Sequence, residues 1–382
     1  MAIRAILLNS KNRIEELNQK FNLKLPEFFE GRLLIRLTDL SSGVKEQLAA
    51  FAKKPMFCWS TFDSDHGMFL IPDELKLLQE AKGNSKNALL KSMAELLNRT
   101  NWPRPVWQTN HGPLNFARGP LIMGILNVTP DSFSDGGRFN DLQAALDRAL
   151  QMEAEGASII DIGGESTRPG AEPVPEQEEL RRVIPVIEKL RQKTDVLISI
   201  DTYKSRIAEA ALQAGADIVN DISGAQFDRK MVDVVKKYDC PLIIMHIKGT
   251  PKNMQQNPFY HDVTEEIIQY FEKRIHELEQ EGVNKIIIDP GIGFGKRVED
   301  NLHLLRDLKD FTFLNKPILM GTSRKSFIGK VLNREVDDRL FGSLTTQILA
   351  VQNGADIVRV HDVKATYDAL KMLKAVNHIE SA

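Results

Sequence analysis

Eight times between residue 120 and the C-terminus, a short apolar run gives way to a longer segment with helical spacing. The runs are LIMGIL, SIIDIG, VLISID, ADIVN, PLIIMH, KIIID, PILMG and DIVRV. The segments between them include NDLQAALDRALQMEAEG, KSRIAEAALQAG and VTEEIIQYFEKRIHELEQEG. A strand that is apolar along its whole length has both faces covered, which is the state of a parallel sheet flanked by helices. Eight such units over about 260 residues match the size of a (β/α)8 TIM barrel. An open doubly wound sheet shares the local pattern and is the alternative. A faint internal echo supports the repeat. EGASIIDIG, AGADIVND and NGADIVRVHD each end a helix on glycine, add a small residue and enter a strand, as expected where glycine closes a helix in the left-handed conformation.

Residues 1–110 lack this alternation and read as a small α+β domain. IRAILL, RLLIRL, MFCWSTF and GMFLI have strand character, and SSGVKEQLAAFAKK and SKNALLKSMAELLNR have helical spacing, the second with Ser85 as N-cap. DSDHG (63–67) has the composition of a solvated turn. Residues 101–119, rich in proline and glycine, read as a linker to a barrel over 120–382. The chain carries 382 residues at a net charge of −2, with 42% hydrophobic and 27% charged residues. That balance points to no nucleic-acid or membrane partner. Cys58 and Cys240 lie in apolar surroundings and read as buried thiols of a reducing compartment. With no secretory or membrane-spanning run, a cytoplasmic location is expected.

All eight strands end in polar residues. They are Asn127, Asp161, Asp201, Asn220 with Asp221, His246, Asp289, the GTSRKS loop, and Arg359 with His361. In a parallel barrel these carboxyl ends converge on the face that holds active sites. Arg168, Lys325, Arg359 and His361 suit an anion, with glycines and hydroxyls nearby to let backbone N–H groups approach phosphate oxygens. Asp201, Asn220 and Asp289 suit a ring rich in N–H donors, such as a pterin or purine, on which an arginine can stack. Asn127 offers a carbonyl oxygen to Mg2+.

In order and spacing, NVTPDSFSDGG, GGESTRPG, DPGIGFGK, GTSRKSFIG and RVHDV resemble dihydropteroate synthase, over residues 120 to about 378. The pair ESTRPG and SRKS distinguishes the chain from methyltetrahydrofolate-binding methyltransferases, the first alternative; a non-catalytic pterin-binding protein is the second. The resemblance implies condensation of 6-hydroxymethyl-7,8-dihydropterin pyrophosphate with p-aminobenzoate. It places the pterin on Asp201, Asn220, Asp289 and Lys325, between Ile222 and Met245, with Arg359 stacked on the ring. It places the pyrophosphate on Asn127, Arg168, Arg359 and His361, with Mg2+ at Asn127. Asp131, counted with the catalytic residues, would close over the site from the first loop, which acts as a lid, together with Thr167, Arg168 and Pro169 of the second. Phe133, Thr167, Pro169, Phe294, Lys325 and Ser326 would form the p-aminobenzoate pocket. Ile292 stands where many relatives carry phenylalanine, at a position expected to face the lid. His246 is open between ligand contact and structure, Glu165 between substrate contact and organising its loop, and Arg324 with Lys325 between a site role and a surface charge pair. The resemblance also implies a homodimer formed through helices near the C-terminus. It covers none of residues 1–110.

Overall fold

The structure, a computed structural model, describes residues 2–7, 11–21, 33–38, 46, 58–61, 67–71, 103–128, 137–168 and 170–377. It divides into two compact units, Met1–Pro103 with Lys309–Asn315, and Arg104–Leu308 with Lys316–Ala382. In the first, strands β1 (Ala2–Leu7), β2 (Leu33–Thr38), β3 (Cys58–Thr61) and β4 (Gly67–Ile71) form an antiparallel sheet in the order β1-β2-β4-β3. All four coincide with the expected strands. Helix α1 (Lys11–Phe21) was not expected. Its apolar positions are sparse, yet Ile14 and Leu17 are buried at helical spacing. Arg13, on the same helix, pairs with Asp310 at 3.5 Å. The two helices expected around residues 41–54 and 85–99 lie outside the described residues, as do Ser85 and residues 63–66.

The second unit begins with a hairpin, β5 (Val106–Gln108) and β6 (Pro113–Asn115). Eight parallel strands follow. They are β7 (Leu121–Asn127), β8 (Ile159–Gly163), β9 (Leu197–Asp201), β10 (Ile218–Asp221), β11 (Leu242–Met245), β12 (Ile286–Asp289), β13 (Leu319–Met320) and β14 (Ile357–Val360). The sheet runs β12-β11-β10-β9-β8-β7-β14-β13. A parallel bridge between Ile288 and Ile318 brings its two edges together, so the sheet is a nearly closed barrel and not an open doubly wound sheet. Every residue of β8 to β12 is buried. Barrel side chains cover one face of these strands and helices the other, which is why they read as continuous apolar runs. The outer helices are α2 (Gly137–Ala154), α3 (Glu176–Arg191), α4 (Ser205–Ala214), α5 (Met231–Tyr238), α6 (Val263–Gln280), α7 (Val298–Arg306), α8 (Ser326–Leu332), α9 (Leu340–Gln352) and α10 (Val363–Asn377). No helix among the described residues is long and apolar enough to cross a membrane.

The repeated helix-to-strand junction is structural. Gly156, Gly215 and Gly354 all have φ between 102° and 112°. Two of the echoes carry an aspartate that receives an N–H at the entry to a neighbouring strand: Asp217 from Ile198 at 3.0 Å and Asp356 from Ile318 at 2.8 Å. Each also holds an arginine, Arg191 and Arg104 respectively.

Residues 104–119, expected within a linker, belong to the barrel unit. Leu114 and Phe116 pack with Met123, Ile159, Leu197, Ile218, Ile243, Ile287, Leu319 and Ile357, closing the amino-terminal end of the barrel. Trp107 meets Phe116 edge-on at 5.4 Å. Thr109 and His111 bond Asp217 at 3.0 and 2.8 Å. Of the prolines and glycines that suggested a linker, Gly112 lies in the hairpin connection and Pro113 opens β6. Phe116→Ala is expected to lose about 3–5 kcal/mol, the usual cost of emptying a buried aromatic site. Urea unfolding measures it, and a loss below about 1 kcal/mol would show that the hairpin is dispensable.

Candidate active site

Strand register fixes which side chains point into the barrel, because directly paired residues of parallel strands face the same way. Met123 pairs with Ile159, Ile125 with Asp161, and Asn127 with Gly163. Asp161 pairs with Ser199 and Gly163 with Asp201. Asn220 pairs with Asp201 and Ile243, Met245 with Asp289, and Arg359 with Met123. One ring of inward residues is the apolar floor described above. Two residues further along each strand, the ring becomes Ile125, Asp161, Ser199, Asn220, Met245, Asp289 and Arg359. The interior thus changes from hydrocarbon to charge within one strand repeat.

Arg359 organises this polar ring. Its Nε donates to Asp161 at 2.6 Å and its Nη2 to Asp201 at 2.7 Å. Asn220 Nδ2 donates to the same Asp161 oxygen at 3.1 Å. Burial works against the guanidinium charge, but the two carboxylates more than offset it and hold the arginine above its ordinary range. Burial pushes Asp201 up to about 7, with Arg359 opposing the shift and Asp161 adding to it. Three buried atoms here, Asp161 Oδ1, Asp201 Oδ1 and Ser199 Oγ, have no hydrogen-bond partner. Buried polar atoms are normally paired, so a cluster of acceptors left open marks a place for donors.

Beside the polar ring stands an apolar wall of Ile222, Met245, Met254 and Phe294, with Tyr203 and Ile247 against it. Lys325 lies over the Phe294 ring with Nζ 4.2 Å from its centre. Burial, then the charge of Arg359, lowers this lysine to about 8. Gly293 lets it pass, since a Cβ there would lie 3.3 Å from Lys325 Cδ. Asp289 accepts Gly291 N–H at 2.7 Å, and burial raises its carboxyl. Gly291 has φ +74°, and a Cβ would stand 2.0 Å from the His246 carbonyl; the DPGIG turn therefore requires glycine there.

At the anion side, His361 N–H donates to Ser323 Oγ at 3.2 Å, and His361 Nδ1 lies 3.0 Å from the same oxygen. The hydroxyl already accepts one N–H, so its proton is available to Nδ1. That leaves Nε2–H as the outward donor. Burial, Arg359 and Arg324 lower His361 to about 4, keeping it neutral. Asn127 and Thr167 are half-buried, while Arg168 and Ser326 are exposed. Asp131, Phe133 and Pro169 lie outside the described residues.

Other candidates have different roles. His246 is clamped by Lys296, whose Nζ lies 3.1 Å from its Nδ1 and also donates to the His246 and Phe294 carbonyls. Arg324 makes a two-pronged pair with Asp362 at 3.0 and 2.6 Å, which is a structural role. Glu165 binds Tyr203, Lys204 and Val174 N–H and so organises its loop. Ile292, expected to face the lid, is buried. Among the described residues no group of three or more His, Cys, Asp or Glu is arranged to hold a metal. Asn127 alone, a neutral oxygen donor at the open end of β7, fits a hard cation that draws its other oxygens from phosphate and water.

Asp161 is the main residue that sequence reasoning placed at a strand end without assigning a role. The alternation Ile159, Asp161, Gly163 already put it on the inward face. Ser199 and Tyr203 carried no such signal, because a serine within an apolar strand and a tyrosine in a loop are ordinary.

The family model of the pterin binding enzymes matches residues 123–361. A dihydropteroate synthase from Synechocystis sp. is 49% identical over 277 residues, which is 72% of this chain and 95% of that protein. A structure of the Xanthomonas albilineans dihydropteroate synthase with 4-aminobenzoic acid is 42% identical, with a TM-score of 0.69 over 72% of this chain and 100% of that one. The same enzyme in complex with 7,8-dihydropteroate is similar at 40% identity and a TM-score of 0.66, again over 72% and 100%.

Proposed function

This chain belongs to the pterin-binding enzyme family, and from that membership we propose that it acts as a dihydropteroate synthase, joining 6-hydroxymethyl-7,8-dihydropterin pyrophosphate to p-aminobenzoate. The observation that carries the reading is the open acceptor cluster of Asp161, Asp201 and Ser199 beside Arg359. A pterin edge presents ring and amino N–H donors to such a cluster. Asn220 and Asp289 continue it, Ile222 and Met245 wall the ring, and Lys325 donates from above.

The pyrophosphate then faces Arg168, Arg359, the Nε2–H of His361 and Asn127. The carbon–oxygen bond at the pterin methylene breaks, and pyrophosphate leaves with the electron pair. The amine nitrogen of p-aminobenzoate bonds the methylene and sheds one proton to water or the leaving group. Donors aimed at the leaving oxygens stabilise the charge that develops there. Asn127 would hold Mg2+ through its side-chain oxygen, and the bound ion would supply further positive charge to the pyrophosphate. An aromatic amine needs no strong base to attack. Phe294, Lys325, Ser326, Thr167, Pro169 and Phe133 form the second substrate site. Asp131, in the lid, closes over the site together with Thr167, Arg168 and Pro169 of the second loop. The test is pyrophosphate release by the full chain with Mg2+, with and without p-aminobenzoate. Release dependent on p-aminobenzoate is expected; tight pterin binding without release would overturn the reading.

Ionised, Asp201 keeps Oδ1 open as an acceptor for a pterin N–H while Oδ2 holds Arg359, whereas a proton on Oδ1 turns that atom into a donor. As pH falls through about 7 its carboxyl takes up a proton, so pterin affinity is expected to fall about tenfold per unit below that point. Calorimetry from pH 8 to 5.5 measures it, and a flat profile would remove Asp201 from the pocket.

The barrel unit carries this chemistry from Arg104 onward, and residues 1–103 are assigned no second activity. The protein acts in the cytoplasm, consistent with the buried thiol of Cys240. It forms a homodimer through α9 and α10, where Phe341, Leu349, Met372 and Val376 are exposed, Phe341 by 79%. Phe341→Glu is expected to yield monomers in sedimentation; an unchanged dimer would move the interface elsewhere.

A further inference from the structure

The loop after β8 carries Thr167 and Arg168, yet little of that loop is tied to its own strand. Its anchor is Glu165, whose carboxylate is shared between two neighbours in sequence. Tyr203 Oη donates to Glu165 Oε1 at 2.7 Å, and Lys204 Nζ to Oε2 at 2.5 Å. Lys204 also bonds Glu179 and the Val174 carbonyl, both at 2.6 Å. Thr202 completes the set by donating to Glu179 at 2.8 Å. Three consecutive residues after Asp201 therefore hold the base of the loop. Further out, Gly170 N–H bonds the Pro251 carbonyl at 3.0 Å and Glu172 pairs with Lys252. Ser166 to Arg168 span the interval between these anchors.

Tyr203 differs from the other anchors because it is also part of the pocket wall. Its ring packs against the cluster of Ile222, Met245, Met254 and Phe294 and meets Phe227 edge-on at 5.6 Å. One side chain thus touches the apolar wall with its ring and the loop base with its hydroxyl. Burial and the Glu165 charge hold the phenol above its ordinary range, so it remains a donor at working pH. Lys204, by contrast, bridges two buried carboxylates and mainly offsets their charge.

Resting on the synthase reading above, we infer that Tyr203 is a positioning residue for the second substrate: through Glu165 it sets where Thr167 stands against the wall, and so tunes p-aminobenzoate binding and not binding of the pterin ring. The pterin contacts Asp201 and Asn220 lie on strands whose backbone is fixed by the sheet, and they do not depend on this link.

The test is Tyr203→Phe in the full chain, which keeps the ring and removes only the hydroxyl. The KM for p-aminobenzoate is expected to rise about tenfold. The Kd for 6-hydroxymethyl-7,8-dihydropterin, which lacks the pyrophosphate that Arg168 faces, is expected to stay within about twofold and kcat at saturation within about threefold. Glu165→Ala removes the other end of the link, and the double variant is expected to be no worse than Glu165→Ala alone, as for groups acting in series. An unchanged KM in Tyr203→Phe, equal weakening of both substrates, or simple additivity of the two variants would overturn the inference while leaving the synthase standing. A wild-type chain without p-aminobenzoate-dependent turnover would overturn both.

Discussion

Alanine at position 201 is expected to abolish measurable binding of dihydropterin pyrophosphate. Asp201 is 8% exposed, and its Oδ1 has no partner while Oδ2 holds Arg359 at 2.7 Å. A hydrogen bond to a charged acceptor contributes up to about 3 kcal/mol, which is a loss of up to about 100-fold in affinity for each bond the carboxylate accepts. Arg359 also bonds Asp161, at 2.6 Å, a pair that the substitution does not remove, so the barrel is expected to remain folded with little change in circular dichroism. Calorimetry with the intact pterin substrate is the direct measurement. Affinity within threefold of the wild type would remove Asp201 from the pterin pocket.

Arg359→Met is expected to cost both activity and stability. The side chain stands between Asp161, which is fully buried, and Asp201. Removing it leaves two carboxylates without their cation, which in buried sites costs about 3–5 kcal/mol. The pH dependence follows from the sign of the shift. Asp201 is already raised, and Arg359 is the charge that opposes the rise. Without it the carboxyl moves further up, so the ionised form is the unfavourable one. The variant's stability deficit is therefore largest above about pH 7 and shrinks as acid protonates the orphaned Asp201. Urea unfolding at pH 8 and pH 6 measures this, and an equal deficit at both would argue that packing and not charge is at stake. Turnover is expected to fall by about 1000-fold, in line with losing a donor to the developing leaving-group charge. Arg359→Lys keeps the charge but not the planar two-pronged geometry and is expected to recover stability better than rate.

Much of the barrel was legible because its strands are short and apolar throughout and its helices are amphipathic over two or more turns. The strand ends in IIDIG, ISID, IVND and IIID fell where they were expected. Residues 104–119 were misread for a definite reason. A three-residue strand has too few positions to display a period, and the burial of Phe116 depends on eight strands that follow it in the chain. The site was legible as a set of residue types but not as a set of pairs. Nothing in RVHDV indicates that its arginine meets Asp161, 198 positions away, and Asp201, 158 positions away. Nor does GFGK show that its lysine clamps His246.

By itself the sequence determined the alternation, the polar strand ends and the glycine-bearing turns, because each depends on contacts within a few residues. Only the tertiary structure decided which polar ends face one another, which acceptors stay open, and that Tyr203 joins the wall to the loop. Those outcomes depend on strand order and stagger around a nearly closed sheet. Closure is a long-range property: it appears only when Ile288 meets Ile318, and no local pattern encodes it.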